Sequence, residues 1–428
     1  MAGNQSRRDF IRNAGALAAA TFMFEKIAYA KSDPTILFVS GWQDVNIGDI
    51  AHTPGLIAIL KKRLPDAKLI LWKKSKSELS EGLIKKHYPD LRIIHGAVNK
   101  ERVPQTEEVK SAFSEADFLL HGSGPSVVAA DYLDSWQKET RKPFGLFGVT
   151  IQDISPDLKR IIQNASFIFT RETASIQKLK EKGLYGNHIA FAPDATFAMD
   201  IHDEEKAAKF MQNNGLLDRK FICVIPRLRK TPYYKIRLNN AGWSAEQIRA
   251  VDELNNKWKE QDHAKAREAL TAWVRKTKNK VVICPEMTYQ VDIMDELLID
   301  PLPQDVKPFV IKHEYWLPDE AASLYAKAHT VISYECHSPI IAATNGTPCF
   351  YLRQPEDTIK GQMYYDLGLK DWTFEIEETT AQQITEQLMR VTDNYDAALK
   401  QVETAMKNVG IRYDKTVAIM NKEFIKLK

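Results

Sequence analysis

From Thr35 onward, short runs of consecutive apolar residues alternate with stretches in which apolar residues recur every three or four positions. The short runs predict strands at Thr35–Trp42, Lys68–Trp72, Arg92–His95, Phe118–His121, Pro143–Val149, Phe167–Thr170 and Ile189–Ala192. Helical patterns such as Gly55–Arg63, Glu107–Ser114 and Ala174–Lys182 fall between them. Strands alternating with helices predict an α/β domain built on a mostly parallel sheet, which takes ligands at the carboxyl ends of its strands. The pattern breaks in the polar segment Ala198–Arg219, which carries Asn213-Asn214-Gly215, and then repeats. The second set of strands is Phe221–Ile225, Lys280–Cys284, Pro308–Ile311, Thr330–Tyr334 and Pro348–Leu352. A charged stretch over Ser244–Thr277 reads as one long solvated helix. From about Thr379 the strand pattern is lost, and Ile384, Leu388 and Val391, then Val402, Met406 and Val409, mark the apolar faces of closing helices.

The first thirty residues follow a different plan. Ser6-Arg7-Arg8-Asp9-Phe10 is followed by an apolar run from Ala14 to Phe24 and then by Ala28-Tyr29-Ala30. Twin arginines, a short apolar run and an Ala-x-Ala end, in that order, predict a twin-arginine signal peptide over residues 1–30. The run is too short to span a bilayer of about 30 Å. The expected organisation is a signal peptide over 1–30, a first α/β domain over 31–205, a second over 206–378 and closing helices over 379–428. The expected partner is the twin-arginine export machinery, and the expected location is the periplasm or cell surface, with no stable membrane span.

Charge narrows the function. The chain carries a formal net charge of +3, and the leader accounts for two of these, through Arg7, Arg8, Arg12 and Lys26 against Asp9 and Glu25. A near-neutral mature chain with no basic stripe argues against a nucleic-acid partner. Cys223, Cys284, Cys336 and Cys349 form no Cys-x-x-Cys pair and no zinc-like spacing with His. The sequence assigns no disulfide and no metal centre.

Candidate chemistry gathers at predicted strand ends. Asn46-Ile47-Gly48-Asp49 opens a helix after the first strand, with Asp49 placed to cap it. His121-Gly122-Ser123-Gly124-Pro125 ends the fourth strand, and its small residues would expose backbone N–H groups to an anion. Thr170-Arg171-Glu172 and Pro193-Asp194-Ala195 end the sixth and seventh. In the second half, Arg227-Leu228-Arg229-Lys230 with Lys235 and Arg237 forms a basic loop that also holds Tyr233 and Tyr234, aromatic faces for a sugar. Tyr334-Glu335-Cys336-His337-Ser338-Pro339 follows the strand Thr330–Tyr334, and Asn345-Gly346-Thr347-Pro348 leads into the next.

These blocks, in this order from about Thr35 to Leu352, resemble the polysaccharide pyruvyltransferase family. The resemblance implies two Rossmann-like domains facing a cleft, a layout shared with the GT-B type of glycosyltransferase fold. It implies transfer of the pyruvyl group of phosphoenolpyruvate onto two hydroxyls of a sugar in an oligosaccharide or polysaccharide. Phosphoenolpyruvate is then a donor substrate, and no cofactor is called for. Roles follow for Asp49, Arg227 and His337. The substrate-binding set is Asn46, Gly48, Gly122, Ser123, Gly124, Arg171, Asp194, Arg227, Arg229, Tyr233 and Ser338. A phosphate and a carboxylate call for arginine forks. Protonation of the methylene carbon suits His337, and proton removal from sugar hydroxyls suits Asp49. Family members usually carry Arg two residues before the His; here the residue is Glu335. That change, with export away from a cytoplasmic donor, raises two alternatives. One is a hydrolase that uses Glu335, His337 and Asp49 to cleave a pyruvate ketal or a glycosidic bond. The other is a non-catalytic glycan-binding protein.

Overall fold

A computed structural model describes residues 34–425 and contains two parallel sheets; the expected signal peptide lies outside the described residues. The first sheet comprises β1 (Thr35–Ser40), β2 (Lys68–Lys73), β3 (Arg92–Ile94), β4 (Phe118–His121), β5 (Phe144–Val149), β6 (Phe167–Thr170) and β7 (Ile189–Phe191) in the order β3-β2-β1-β4-β5-β6-β7. The second comprises β8 (Phe221–Ile225), β9 (Lys280–Ile283), β10 (Val310–Lys312), β11 (Thr330–Ser333), β12 (Cys349–Arg353) and β13 (Thr373–Glu375) in the order β10-β9-β8-β11-β12-β13. Every pair is parallel, and in each sheet the order reverses beside the first strand of its half. Such reversals open a crevice at the carboxyl ends of the strands.

Helices cover both faces of the sheets, which is why the strands read as unbroken apolar runs rather than alternating ones. Ile36, Leu37, Phe38 and Val39 are all fully buried, as is every residue of β8. One apolar core fills the outer face of the first sheet. The other is continuous from its inner face, through Ile50, Leu56 and Phe197, into the second domain at Tyr325 and Ile341. The two domains therefore share packed side chains.

Two parts of the fold depart from the sequence reading. The Ala245–Thr277 helix, capped by Ser244 with a reciprocal Gln247 bond, is solvated only over its first half. Its second half buries Ala266, Ala269, Leu270, Trp273 and Val274, and the Ala381–Asp393 helix packs against it. β13 is too short to stand out as an apolar run. The last helix, Tyr395–Ile425, crosses back onto the first domain: Phe424 meets Phe118 edge-on at 5.1 Å, and Tyr413 donates its hydroxyl to the Asp194 carbonyl at 2.6 Å. All four cysteines are buried and free. Among the described residues no helix is long and apolar enough to cross a membrane.

Candidate active site

The loop after β1 and the loop after β9 hold the domains together at the cleft. Ile47 N–H donates to the Glu286 carbonyl at 2.9 Å, and Thr288 N–H donates to the Val45 carbonyl at 3.0 Å. The Ile47–Arg63 helix starts there, and its cap is Asn46, whose side chain accepts from the N–H groups of Gly48 and Asp49. The expected capping role thus belongs to Asn46, and Asp49 sits inside the first turn. Gly48 is needed for proximity: a Cβ at this position would lie 2.2 Å from the His337 ring.

His337 opens the His337–Thr344 helix after β11, at the carboxyl end of the second sheet. Its Nδ1 is 3.1 Å from Glu286 Oε1, and its Nε2 is 3.2 Å from Nε2 of His52, on the helix of the other domain. Glu286 is fully buried and also accepts from Ser338, through the backbone N–H at 2.6 Å and the hydroxyl at 2.8 Å. Burial opposes charge on the His337 ring, but Cys336 and Glu286 outweigh it and hold its pKa well above the usual histidine value. Burial likewise opposes the Glu286 carboxylate, and His337 and Ser338 reverse this and lower its pKa.

The array continues into the first domain. His52 Nε2 is 3.3 Å from Asp194 Oδ2, and Arg171 Nη1 donates to the same oxygen at 2.8 Å. Arg171 Nε donates to Thr150 Oγ1 at 2.8 Å, and Asp194 Oδ1 caps the following turn by accepting from Thr196 N–H at 3.0 Å. Burial alone would raise the Asp194 pKa, yet His52 and Arg171 hold it well below the usual carboxylate range. Arg171 and Asp194 are almost wholly enclosed, at 1% and 0% exposure, so they lie beneath the open cleft, out of reach of a sugar or a phosphate.

A second cluster lies at the ends of β8, β11 and β12. Arg227 donates from Nη1 to Asp357 at 2.7 Å, and its Nε, which makes no hydrogen bond, lies 3.3 Å from Glu335 Oε2. Gln290 Nε2 donates to Glu335 Oε1 at 2.9 Å, and Lys360 Nζ lies 3.2 Å from Asp357. Burial pushes the Glu335 carboxyl up to about 7 against the pull of Arg227, with Glu286 adding to the rise.

The structure brings Asn46, Gly48, Asp49, Arg171, Asp194, Arg227, Glu335, His337 and Ser338 to this cleft region, and it corrects several assignments. The N–H groups of Gly122 and Gly124 are not open to an anion: they donate to the carbonyls of Val39 at 2.9 Å and Gly148 at 3.3 Å. Ser123 is buried and its hydroxyl accepts from Ala195 N–H at 2.9 Å. Arg229 grips Asp262 with two bonds of 2.8 and 2.9 Å and lies 4.0 Å from the Trp258 ring, so its charge is spent within the domain. The Tyr233 ring is covered by Arg237 at 4.0 Å, while its hydroxyl is 3.5 Å from Gln43 Nε2, whose amide also donates to Asp49. His337, expected to carry a transferable proton, has a partner on each ring nitrogen. Glu286, His52, Gln290 and Lys360 were not singled out from the sequence. Glu286 alone left a signal, as a carboxylate two residues past an apolar strand end.

Comparison with known proteins agrees with this architecture. The description "polysaccharide pyruvyl transferase" belongs to the family model that matches residues 46–354. No curated protein matches the sequence. Among solved structures, S. aureus MnaA with UDP is 11% identical with a TM-score of 0.59, over 92% of this chain and 98% of that one. The Neisseria meningitidis UDP-GlcNAc 2-epimerase bound to UDP-GlcNAc is 11% identical with a TM-score of 0.56, over 91% and 100%. Anabaena Alr3699/HepE with UDP-glucose is 14% identical with a TM-score of 0.54, over 92% and 99%. At these identities the likeness establishes the fold, two parallel α/β sheets of the GT-B kind. The family match runs from the Asn46 cap across both sheets to the end of β12, and the chain belongs to the polysaccharide pyruvyl transferase family.

Proposed function

We propose that this protein modifies a glycan outside the cytoplasm, by moving the pyruvyl group of phosphoenolpyruvate onto two hydroxyls of one sugar to form a cyclic ketal. The observation that carries the reading is the family match over residues 46–354, which takes in both domains and the cleft between them. In the reaction the methylene carbon gains a proton and the central carbon bonds to one sugar oxygen. Phosphate then leaves with its bridging oxygen, a second sugar oxygen closes the ring, and both hydroxyl protons are lost.

Arg227 and Lys360 are the cations proposed to meet the donor's phosphate and carboxylate, since each retains donor capacity beyond its bond to Asp357. Glu335 takes the proton-donor role, because its carboxyl is buried beside Arg227 and is protonated in part near neutrality. Asp49 accepts a hydroxyl proton. His337 is given no proton-transfer step, having both ring nitrogens engaged. The twin-arginine signal expected over residues 1–30 supports export to the periplasm or cell surface.

A second reading is favoured by the same Glu335 and by export: hydrolysis of a pyruvate ketal, with Glu335 as acid and Asp49 as base to water. Incubation of the protein with phosphoenolpyruvate and a pyruvate-free glycan separates the two. Ketal on the glycan with an equivalent of phosphate supports transfer. Release of pyruvate from a pyruvylated glycan, with no ketal formed from the donor, would replace transfer by hydrolysis.

A further inference from the structure

His52, Asp194 and His337 bring three potential ligand atoms close together. Nε2 of His52 lies 3.2 Å from Nε2 of His337 and 3.3 Å from Oδ2 of Asp194, and the three atoms all lie within 4.8 Å of one another. A tetrahedral cation with bonds of about 2.0–2.1 Å separates neighbouring ligand atoms by roughly 3.3 Å. The two measured edges have that length. His52 and Asp194 are fully buried and His337 is 8% exposed.

His52 Nδ1 is buried with no hydrogen-bond partner, the Asp49 carboxylate lying 3.9 Å away. Carboxylates crowd the three groups: Asp49 approaches His52 and Glu286 approaches His337, while Arg171 pairs with Asp194.

The surrounding shell is of the kind that orients metal ligands. Glu286 holds His337 through Nδ1 and leaves Nε2 on the His52 side, the arrangement carboxylates impose on zinc-bound histidines. Arg171 and Thr196 N–H fix the Asp194 carboxylate; Arg171 shares Oδ2 but leaves that oxygen a further lone pair.

We propose that His52, Asp194 and His337 form a site for one divalent transition-metal cation of the Zn2+ class, with a fourth coordination position left for water or a substrate oxygen. Two imidazoles and one carboxylate suit Zn2+ and its first-row neighbours better than Mg2+ or Ca2+, which prefer all-oxygen shells. Two ligands come from the first domain and one from the second, so the cation would also pin the cleft closed. The site stands independently of the pyruvyl reading, because its test needs no turnover.

The test is calorimetric titration of the chelator-stripped protein with ZnCl2, paired with Co2+ absorption spectra. One equivalent of Zn2+ should bind and should displace Co2+ that shows the visible d–d bands of tetrahedral coordination. His52→Ala should weaken binding about 100-fold or more, and Glu286→Gln about 10-fold. His52→Gln serves in place of the alanine variant if that variant does not fold. Absence of saturable Zn2+ binding by folded wild-type protein overturns the proposal. So does an affinity unchanged in a folded His52 variant, or octahedral Co2+ alone.

Discussion

Replacing Gly48 by alanine tests the contact that brings the domains together. Gly48 lies in the first turn of the Ile47–Arg63 helix, where the backbone accepts any residue and alanine is ordinarily the better choice by about 0.5–1 kcal/mol. Here the added Cβ would fall 2.2 Å from both Cγ and Nδ1 of His337 and 2.4 Å from its Cβ. Those ring atoms belong to the opposite domain, and Nδ1 is tied to Glu286. Relief requires either moving a buried ring off its partners or parting the domains. Overpacking of this kind costs about 1–3 kcal/mol, which exceeds the helical gain. Gly82 provides the internal comparison: it is exposed in the Glu78–His87 helix, and a Cβ there meets nothing within 4 Å. Gly82→Ala should therefore stabilise the protein by about 0.5–1 kcal/mol, while Gly48→Ala should destabilise it. Urea denaturation would measure both, and small-angle scattering would detect a larger radius for Gly48→Ala. If Gly48→Ala proves as stable and as compact as Gly82→Ala, the interdomain contact described here is wrong.

Glu286→Ala leaves His337 and both Ser338 donors without their buried acceptor, and should cost about 3–5 kcal/mol in denaturation. Tyr413→Phe removes the bond that ties the last helix to Asp194, an expected loss of about 0.5–1.5 kcal/mol in the same assay. Arg229→Lys gives up a two-point grip on Asp262 and should lower stability by about 1–3 kcal/mol while leaving phosphoenolpyruvate affinity unchanged; weaker donor binding in calorimetry would return Arg229 to the binding set. His263 is neutral in the fold, donating from Nδ1 to the Lys259 carbonyl and accepting the Arg227 N–H on Nε2, and burial depresses its pKa to about 4. The unfolded chain binds its proton first, so stability should decline by roughly 3 kcal/mol as pH falls from about 6.5 to 4. His263→Gln should flatten that decline in pH-dependent denaturation, and an unchanged slope would contradict the assignment.

The sheets were legible because strands buried on both faces are written as short apolar runs: the interval Phe118–His121 was read as it stands in the structure, and so were Phe167–Thr170 and Phe221–Ile225. β13 escaped because three residues carry no period. The buried half of the Ala245–Thr277 helix escaped because its charged residues, Asp262 and Arg267 among them, are satisfied inside the fold instead of in water. At the site, His337 and Glu335 were visible at a strand end. His52 was not, since a histidine in mid-helix looks like any other until the opposite domain places a ring against it. Arg227 and Arg229 look alike in sequence; only their carboxylate partners separate a cation whose Nε makes no hydrogen bond from one held at two points by Asp262.

The central claim is that the cleft takes an anionic three-carbon donor through Arg227 and Lys360. Calorimetric titration of the protein with phosphoenolpyruvate, beside its Arg227→Met variant, addresses it most directly. The account predicts saturable binding by the wild type and a loss of about ten-fold or more in the variant, from charge-assisted bonds worth about 1.5–3 kcal/mol. No heat from a folded wild-type protein, or equal affinity in a folded variant, would contradict it.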